Sequence, residues 1–281
     1  MLLTNSYLSQ VIFKENVSKD AFNYFLPNIQ VAILAKLGGI PWRLNRQAND
    51  ELIVGIAAFY SYTEKARYVG SAFCFNNEGE FKGFECFGKD DTISLAGSIR
   101  EAVQAFLKTH KNASRLIIHF YKVISKKELK PILDTLYNKL NLSIPVIVVT
   151  INKTASKELL AFDTSSEGLM PFSGTYINVG EREYLLFNNT RYDATSKPTP
   201  REYHFPVKIK LTSTHLELLE EKELVDLLID EVYQFSRMYW KSVSQQNLPV
   251  TLAYPEMVAE IFPYFKYDKL PDFGRENLWF L

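Results

Sequence analysis

The stretch Glu51–Tyr62 reads ELIVGIAAFYSY and is the starting point for the fold of this 281-residue chain. It is rich in β-branched and aromatic residues, which favour a strand. Two similar runs follow it, Arg67–Phe75 (RYVGSAFCF) and Glu80–Phe87 (EFKGFECF), and short turns rich in Gly, Asn and Glu separate the three. We therefore predict an antiparallel meander of three strands.

Downstream of the meander, helical and strand-like runs alternate. A helix is predicted at about Ile93–His110, a strand at Ser114–Tyr121, a helix at Lys126–Leu140 and a strand at Ser143–Ile151. The last run, SIPVIVVTI, is mostly apolar, as in strands that are buried on both faces. Three strands, a helix, a strand, a helix and a strand is the element order of the ribonuclease H-like fold. We predict an α/β protein with a central mixed sheet flanked by helices, although a fold alone implies no function.

The second half of the chain begins with short strands and ends with helices. Gly174–Val179 and Arg182–Asn188 indicate a hairpin, Tyr203–Leu211 a strand, and Glu220–Trp240 and Tyr254–Phe262 two helices. The sequence contains no internal repeat and no linker-like segment, so we expect one compact unit.

Before the meander, the sequence indicates a helix with a sharp stop. Pro27 suits the first turn of a helix over Asn28–Leu37, because the N–H that proline lacks would have no partner there. The pair Gly38-Gly39 ends this helix, and Pro41 prevents its return.

Composition excludes several classes of protein. Lys+Arg and Asp+Glu both number 32, so the net charge is zero and any nucleic acid must be bound by local patches. No apolar run approaches the roughly 20 residues of a membrane span, and the first residues do not resemble a secretory signal. Cys74 and Cys86 are too few for a disulfide framework or a four-cysteine zinc site. We expect two free thiols in a reducing cytoplasm.

Two stretches resemble the PIWI domain of Argonaute proteins. Leu34–Leu44, LAKLGGIPWRL, resembles the entry to that domain. Pro249–Phe265, PVTLAYPEMVAEIFPYF, and the terminal Leu278–Leu281, LWFL, are similar to the carboxyl end of prokaryotic Argonautes, the short ones in particular. The resemblance covers almost the whole chain and implies a ribonuclease H-like PIWI fold.

The same resemblance implies a division of the chain. Residues 1–45 would be the end of a MID domain and the MID–PIWI connection, with the last MID strand around YLSQVIF, and residues 46–281 would be the PIWI domain. The N and PAZ domains of Argonautes have no counterpart in the sequence. Whether the rest of the MID domain lies on another chain or was removed stays open.

PIWI nucleases resemble ribonuclease H enzymes in using carboxylates to hold two divalent ions, which stabilise the attacking and leaving oxygens of a phosphodiester. The resemblance places one carboxylate after the run VGI at 54–56, where this chain has Ala57, and another after HF at 119–120, where it has Tyr121. Alanine has no metal ligand and a neutral phenol is a poor one. We therefore expect no catalytic residue and no cleavage by this chain.

Two alternatives stay open. Asp90 and Asp91 lie in the region where the resemblance places a catalytic glutamate, so a shifted acidic set in an active two-metal endonuclease is one of them. Near the last acidic position the chain reads LAY at 252–254, which again offers no ligand. The other alternative is a protein-interaction scaffold that binds no nucleic acid.

A guide strand's 5′-phosphate requires cations and hydrogen-bond donors in one pocket. The resemblance implies three contributors, namely Gln10, Lys36 and the terminal carboxylate of Leu281, and the first two are 26 residues apart, similar to the spacing in Argonautes. It also implies that the Leu281 carboxylate is a ligand of Mg²⁺ held against the guide phosphate, where the ion is not catalytic. The pocket's tyrosine and first lysine belong to the MID segment, so this chain would hold only part of it.

Two basic groups are further candidates for contacts to a nucleic-acid backbone. Arg201, Lys208 and Lys210 belong to a basic loop that runs into a strand. Arg237 and Lys241 are spaced i, i+4 on the predicted helix near Trp240. A solvated surface is the alternative for both groups.

Taken together, the resemblance implies guide-directed binding of a complementary strand without cleavage. Base pairing would supply sequence specificity, and contacts to the backbone would supply affinity. Short Argonautes typically act with a separate effector that carries an Argonaute-associated (APAZ) domain joined to a TIR or SIR2 NAD-consuming enzyme. The expected partners are therefore a guide, a target strand, the MID segment and such an effector, in defence against plasmids or phages. The sequence does not distinguish RNA from DNA.

Overall fold

The computed structural model of the chain describes residues 2–19, 21–44, 50–62, 65–75, 81, 83–88, 91–110, 113–153, 159–166, 168–190, 205–243, 246–265 and 270–281. These residues form one eight-stranded sheet with helices on both faces. The strands are β1 (Glu51–Ser61), β2 (Ala66–Phe75), β3 (Gly83–Gly88), β4 (Arg115–Phe120), β5 (Val146–Asn152), β6 (Tyr176–Gly180), β7 (Glu183–Leu186) and β8 (Val207–Ser213). The α-helices are α1 (Lys14–Val17), α2 (Phe22–Lys36), α3 (Thr92–Thr109), α4 (Lys126–Asp134), α5 (Lys222–Phe235), α6 (Val250–Ile261) and α7 (Asp272–Arg275).

The sheet is mixed, with the strand order β3-β2-β1-β4-β5-β8-β7-β6. Strands β1, β2 and β3 pair antiparallel, so the predicted meander is confirmed. The pairs β1–β4 and β4–β5 are parallel, and the remaining pairs are antiparallel. Because β1, β4 and β5 run in one direction, their carboxyl ends meet at one edge of the sheet. The predicted mixed sheet flanked by helices is therefore confirmed.

Successive residues of the buried central strand β1 alternate between two hydrophobic layers, as strand geometry requires. Leu52, Val54 and Ile56 pack with α3 and α4 on one face. Ile53 and Ala57 pack with α5, α6 and the carboxyl-terminal tail on the other. The second layer carries the residues of interest for function.

Helix α6 lies directly on β1 and β2 because two glycines face it. A Cβ on Gly55 would stand 1.8 Å from the carbonyl oxygen of Thr251, and one on Gly70 would stand 2.2 Å from that of Pro255. Any side chain at either position would therefore push the helix off the sheet. This contact fixes the position of α6 relative to the carboxyl ends of the parallel strands.

Three sequence predictions about local structure are wrong. Helix α2 begins at Phe22 and contains Pro27, which therefore does not mark its first turn. Helix α5 ends at Phe235, because the backbone N–H and the hydroxyl of Ser236 turn back to carbonyls of the last turn. Residues 7–13, YLSQVIF, form no strand, since none of the described strands runs beside them. None of the helices in the described residues has the length and apolar character of a membrane span.

Candidate nucleic-acid interface

The ammonium of Lys36 lies at the carboxyl end of α2 and is buried, with 6% of the residue exposed. Its Nζ donates to the carbonyl oxygen of Ser9 at 2.7 Å and to Oε1 of Gln10 at 2.9 Å. The structure thus brings together two of the residues that the sequence predicts for a phosphate pocket. Residues 7–13 form no strand, but they supply both acceptors.

The charge of Lys36 is only partly compensated. Burial lowers the pKa of Lys36, and repulsion from Lys241 lowers it further, so the two ammonium groups lie near each other. Both hydrogen-bond acceptors of Lys36 are neutral, and across the described residues no carboxylate pairs with it. The negative end of the α2 dipole favours a cation at this position. The site is therefore a buried positive charge that an anion would stabilise.

The carboxyl-terminal tail, residues 278–281, lies beside Lys241. Lys241 and Phe280 line a common cavity of about 680 Å³ beside the end of β1. Phe280 and Leu281 are each 5% exposed, and the Phe280 ring packs edge-on against Tyr254 at 5.5 Å. We call Gln10, Lys36, Lys241 and the tail residues the Lys36 corner. Within the described residues, the carboxylate of Leu281 forms no ion pair with Lys36.

The Lys36 corner fits a magnesium ion only in part. The Leu281 carboxylate is the one anionic donor that the tail offers, and Gln10 Oε1 is a neutral oxygen ligand already bonded to Lys36. Mg²⁺ is commonly held by one or two carboxylates together with phosphate oxygens and water. The donor set is therefore suited to an ion that arrives with a phosphate.

Ala57 and Tyr121 come together at the edge where the parallel strands end. The backbone N–H of Tyr121 donates to the carbonyl of Ile56 at 3.2 Å, which continues the β1–β4 ladder. Both residues line a cavity of about 190 Å³ between this edge and α6. We call it the strand-end cavity; its lining residues are Ala57, Ala58, Tyr121, Ile151, Asn152, Lys153, Leu248, Leu252 and Glu256.

The polar groups of the strand-end cavity include an ion pair that sequence reasoning missed. Lys153 Nζ lies 3.0 Å and 3.3 Å from the two carboxylate oxygens of Glu256. Burial raises the pKa of Tyr121, which is therefore a neutral phenol. The two partners of the ion pair are 103 residues apart, and only the seat of α6 on the sheet brings them together.

The strand-end cavity does not fit a pair of catalytic divalent ions. Among the described residues that line it, Glu256 is the one carboxylate, and Lys153 already neutralises it. Within the described residues, no group of three or more histidine, cysteine or acidic side chains is placed to hold a metal. Asp91 instead caps α3, accepting from the backbone N–H of Ser94 at 2.8 Å. Asp90 lies outside the described residues.

The family comparison agrees with the sheet. The family model described as "Piwi domain" matches residues 2–265. This chain belongs to the Piwi domain family. The "Piwi protein" of Archaeoglobus fulgidus is 24% identical, over 99% of this chain and 70% of its own length. The "Protein argonaute" of Cereibacter sphaeroides is 25% identical over 93% of this chain, but this chain spans only 37% of that protein.

Solved structures show the same fold at low sequence identity. The structure of Drosophila Piwi matches 98% of the chain with a TM-score of 0.73 and 15% identity, and 38% of its own length is covered. Clostridium butyricum Argonaute, solved with a guide DNA and a 19-mer target DNA, matches 98% of the chain with a TM-score of 0.70 and 18% identity. Only 36% of that Argonaute is covered. The Piwi domain described here thus corresponds to little more than a third of these larger proteins.

Arg237, a predicted backbone contact, is engaged inside the Piwi domain. Its guanidinium donates to Ser173 Oγ at 2.8 Å, contacts the carbonyl of Asn188, and stands 4.5 Å over the Tyr233 ring. Its own carbonyl accepts from Trp42 Nε1 at 2.8 Å. Because α5 ends before Arg237, this residue and Lys241 do not share a helical face. Lys241 instead joins the Lys36 corner.

Lys208 and Lys210 share a carboxylate on the neighbouring strand. Each Nζ lies 2.8 Å from an oxygen of Glu183, and together they hold the pKa of Glu183 down at about 2. Two cations on one anion leave a net charge of +1 at this part of β7 and β8. Arg201 lies outside the described residues.

A contact between a histidine and a glutamate of the Piwi domain is fully buried. His119 Nε2 lies 3.1 Å from Glu231 Oε1, and both side chains are completely inaccessible to solvent. His119 Nδ1 also bonds Thr251 Oγ1 at 2.7 Å, so the network connects β4, α5 and α6. No local pattern indicates this contact, because the two residues are 112 positions apart in the sequence.

Proposed function

We propose that this Piwi domain binds the 5′-phosphorylated end of a guide strand at the Lys36 corner and presents the guide to a complementary strand without cutting it. The observation that carries the proposal is the buried ammonium of Lys36, which among the described residues is bonded to the neutral oxygens of Ser9 and Gln10 and is repelled by Lys241. A solved relative of the same fold holds a guide DNA and a target DNA, which supports the choice of ligand.

A phosphate suits this site physically. It would accept charge-assisted hydrogen bonds from Lys36 and Lys241, each contributing about 1.5–3 kcal/mol. It would also remove the repulsion between the two ammonium groups. The Leu281 carboxylate would help to hold a Mg²⁺ ion against the same phosphate, and that ion, when bound, supplies charge neutralisation rather than catalysis.

The test compares guides with a 5′-phosphate and a 5′-hydroxyl at fixed salt. Lys36→Met should weaken binding of the phosphorylated guide by about tenfold to a hundredfold, which corresponds to the loss of one charge-assisted contact. Binding of the hydroxyl guide should change much less, because its end carries no charge for Lys36 to meet. The matched control is Lys127→Met, which removes an exposed lysine of α4 on the opposite face of the sheet. Equal losses for the two guides would show that Lys36 acts on the fold and not on the phosphate.

Absence of cleavage is the second part of the proposal. Ala57 and Tyr121 supply no metal ligand, and Glu256 is engaged by Lys153. Guide-loaded protein incubated with a labelled target and Mg²⁺ or Mn²⁺ should leave the target intact. Cleavage opposite the guide that is abolished by Asp91→Asn or Glu256→Gln would contradict it and favour the shifted acidic set.

The remaining features of the proposal rest on the family. Residues 1–45 would complete a MID domain supplied by further sequence, and residues 46–281 would be the PIWI domain. Target recognition in the cytoplasm would license a separate effector with an APAZ domain and a TIR or SIR2 enzyme, in defence against plasmids or phages. Co-purification of such an effector with the guide-loaded protein, followed by target-dependent NAD consumption, would test this part.

A further inference from the structure

The strand-end cavity has the position of a ligand site and a chemistry of its own. It lies at the carboxyl ends of the parallel strands β4 and β5, beside Ala57 and Ala58 of β1, and the carboxyl ends of parallel strands are where open α/β sheets commonly bind ligands. Its depth is set by Gly55 and Gly70, which seat α6 above the strand ends. The lining joins residues that directly follow two of these strands, namely Tyr121 after β4 and Lys153 after β5.

The cavity differs from a vacant metal site in its charge. A cluster of carboxylates without its metal ions repels phosphate, so such a cluster binds a phosphodiester only through the ions. Ala57 and Tyr121 are both neutral, and they remove this repulsion. A phosphodiester can therefore enter without a divalent cation.

Three side-chain cations surround the same place. Lys153 reaches the cavity rim and is 56% exposed. The Lys122 ammonium stands 5.7 Å from the centre of the Tyr121 ring, where Glu128 holds it at 2.8 Å. Burial raises the pKa of Tyr121, and the positive charge of the exposed Arg67 counteracts part of this rise. Three positive groups thus face two carboxylates, Glu128 and Glu256.

We propose that the strand-end cavity is a metal-independent phosphodiester site, in which Lys153 and the phenol of Tyr121 bind one phosphate of a nucleic-acid backbone. Glu256 occupies Lys153 while the site is empty, and a phosphodiester displaces this carboxylate when a strand is bound. The assignment of that strand as the target rests on the proposed function. The site holds the strand in register and performs no bond-breaking step.

The two members of the ion pair give opposite predictions. Lys153→Met removes the donor, so guide-loaded protein should bind a complementary strand about threefold to tenfold more weakly. Glu256→Gln removes the competing anion and should strengthen binding by about twofold to fivefold. Lys127→Met is the matched control and should leave affinity unchanged. A merely structural ion pair would respond in the same direction to both substitutions.

The experiment is a fluorescence-anisotropy titration of a labelled target against the guide-loaded 281-residue chain, in Mg²⁺ and again in EDTA at the same ionic strength. The affinity ratio of Lys153→Met to the unsubstituted chain should be the same in both buffers, because no metal takes part. A second series of targets carries one neutral methylphosphonate at successive positions. One position should weaken binding in the unsubstituted chain and have no effect in Lys153→Met.

Three results would overturn the inference. The first is that Lys153→Met changes target affinity no more than Lys127→Met does, and the second is that it weakens target binding in Mg²⁺ but not in EDTA. The third result is weaker target binding by Glu256→Gln. The proposed function fails separately, if the unsubstituted protein binds guides with a 5′-phosphate and a 5′-hydroxyl equally well. If guide binding depends on the 5′-phosphate but Lys153→Met leaves target affinity unchanged, only the proposal for the strand-end cavity is refuted. If Lys153→Met weakens target binding but guide binding does not depend on the 5′-phosphate, only the proposal for the Lys36 corner is refuted.

Discussion

Lys36 and Lys153 are both lysines at the end of a regular element, and the structure holds them in different ways. Lys36 is buried and bonded to two neutral oxygens, whereas Lys153 is 56% exposed and bonded to the Glu256 carboxylate. The first keeps its charge uncompensated and must be stabilised by the rest of the fold. The second is neutralised by a partner that can be exchanged. One fold can thus keep a cation available for phosphate in two ways, by burying it without a carboxylate partner or by pairing it with a carboxylate that a phosphate can displace.

The strand-end cavity depends on the packing of α6 against β1, and a substitution of Gly55 tests this packing. Gly55→Val would drive side-chain carbons into the Thr251 carbonyl and lift α6, which carries Glu256. We expect a loss of about 4 kcal/mol or more in the free energy of unfolding, measured by urea denaturation, because backbone must move. Gly88→Ala is the matched control, since nothing lies within 4 Å of its added Cβ. A loss below about 1 kcal/mol for Gly55→Val would mean that α6 is not held by this contact.

Two acidic residues that bear on the position of α6 should differ sharply in their effect on stability. Glu231→Leu breaks the buried pair with His119 and should lower the free energy of unfolding by about 3 kcal/mol. Glu256→Gln breaks an exposed pair and should change it by less than about 0.5 kcal/mol. Denaturant titrations of the two variants check this difference. Similar losses would show that the Lys153–Glu256 pair is structural, which would weaken the case for an exchangeable carboxylate.

The smallest expected effect is the pH dependence of guide binding. The phosphate requires the ammonium form of Lys36, whose pKa is lowered in the free protein, so affinity should fall as pH rises through that lowered pKa. Stability has the opposite sign: the buried ammonium costs free energy below the lowered pKa, and this penalty is relieved as pH rises from the lowered pKa to that of the unfolded chain. We expect the loss of 5′-phosphate affinity to set in at a lower pH than the ordinary lysine pKa of about 10.4 would give.

Lys36→Arg provides the control for this titration, because a guanidinium stays charged over the whole range. Its affinity for the phosphorylated guide should be lower but nearly independent of pH. If the pH dependence is the same with lysine and arginine at position 36, another group carries it. The hydroxyl guide should show little dependence in either protein.

Local patterns predicted most of the sheet, because strand alternation and turn residues act over a few positions. The meander from Glu51 and the buried strand SIPVIVVTI both lie where their residues indicate. The end of α5 was misplaced because the stop is a hydrogen bond of Ser236. Pro27 was misread because α2 already begins at Phe22, upstream of it.

The sites were less accessible to sequence reasoning. Gln10 and Lys36 were paired only through the resemblance to Argonautes, and the structure supplies the hydrogen bond that joins them. The His119–Glu231 and Lys153–Glu256 pairs each link segments more than 100 residues apart, so no local pattern indicates them. The hydrogen-bond partners of Arg237 come from the 173–188 region, which no local pattern indicates.

The distribution of tryptophan has a practical consequence. The three tryptophans of the chain, Trp42, Trp240 and Trp279, all pack in the layer formed by α5, α6 and the tail, and none lies against α3 or α4. Trp42 and Trp240 flank Arg237 and Lys241, and Trp279 precedes Phe280. Intrinsic tryptophan emission is therefore a built-in optical reporter of one layer only. Binding at the Lys36 corner should change the intensity of this emission, while rearrangements on the α3–α4 face should leave the emission unchanged.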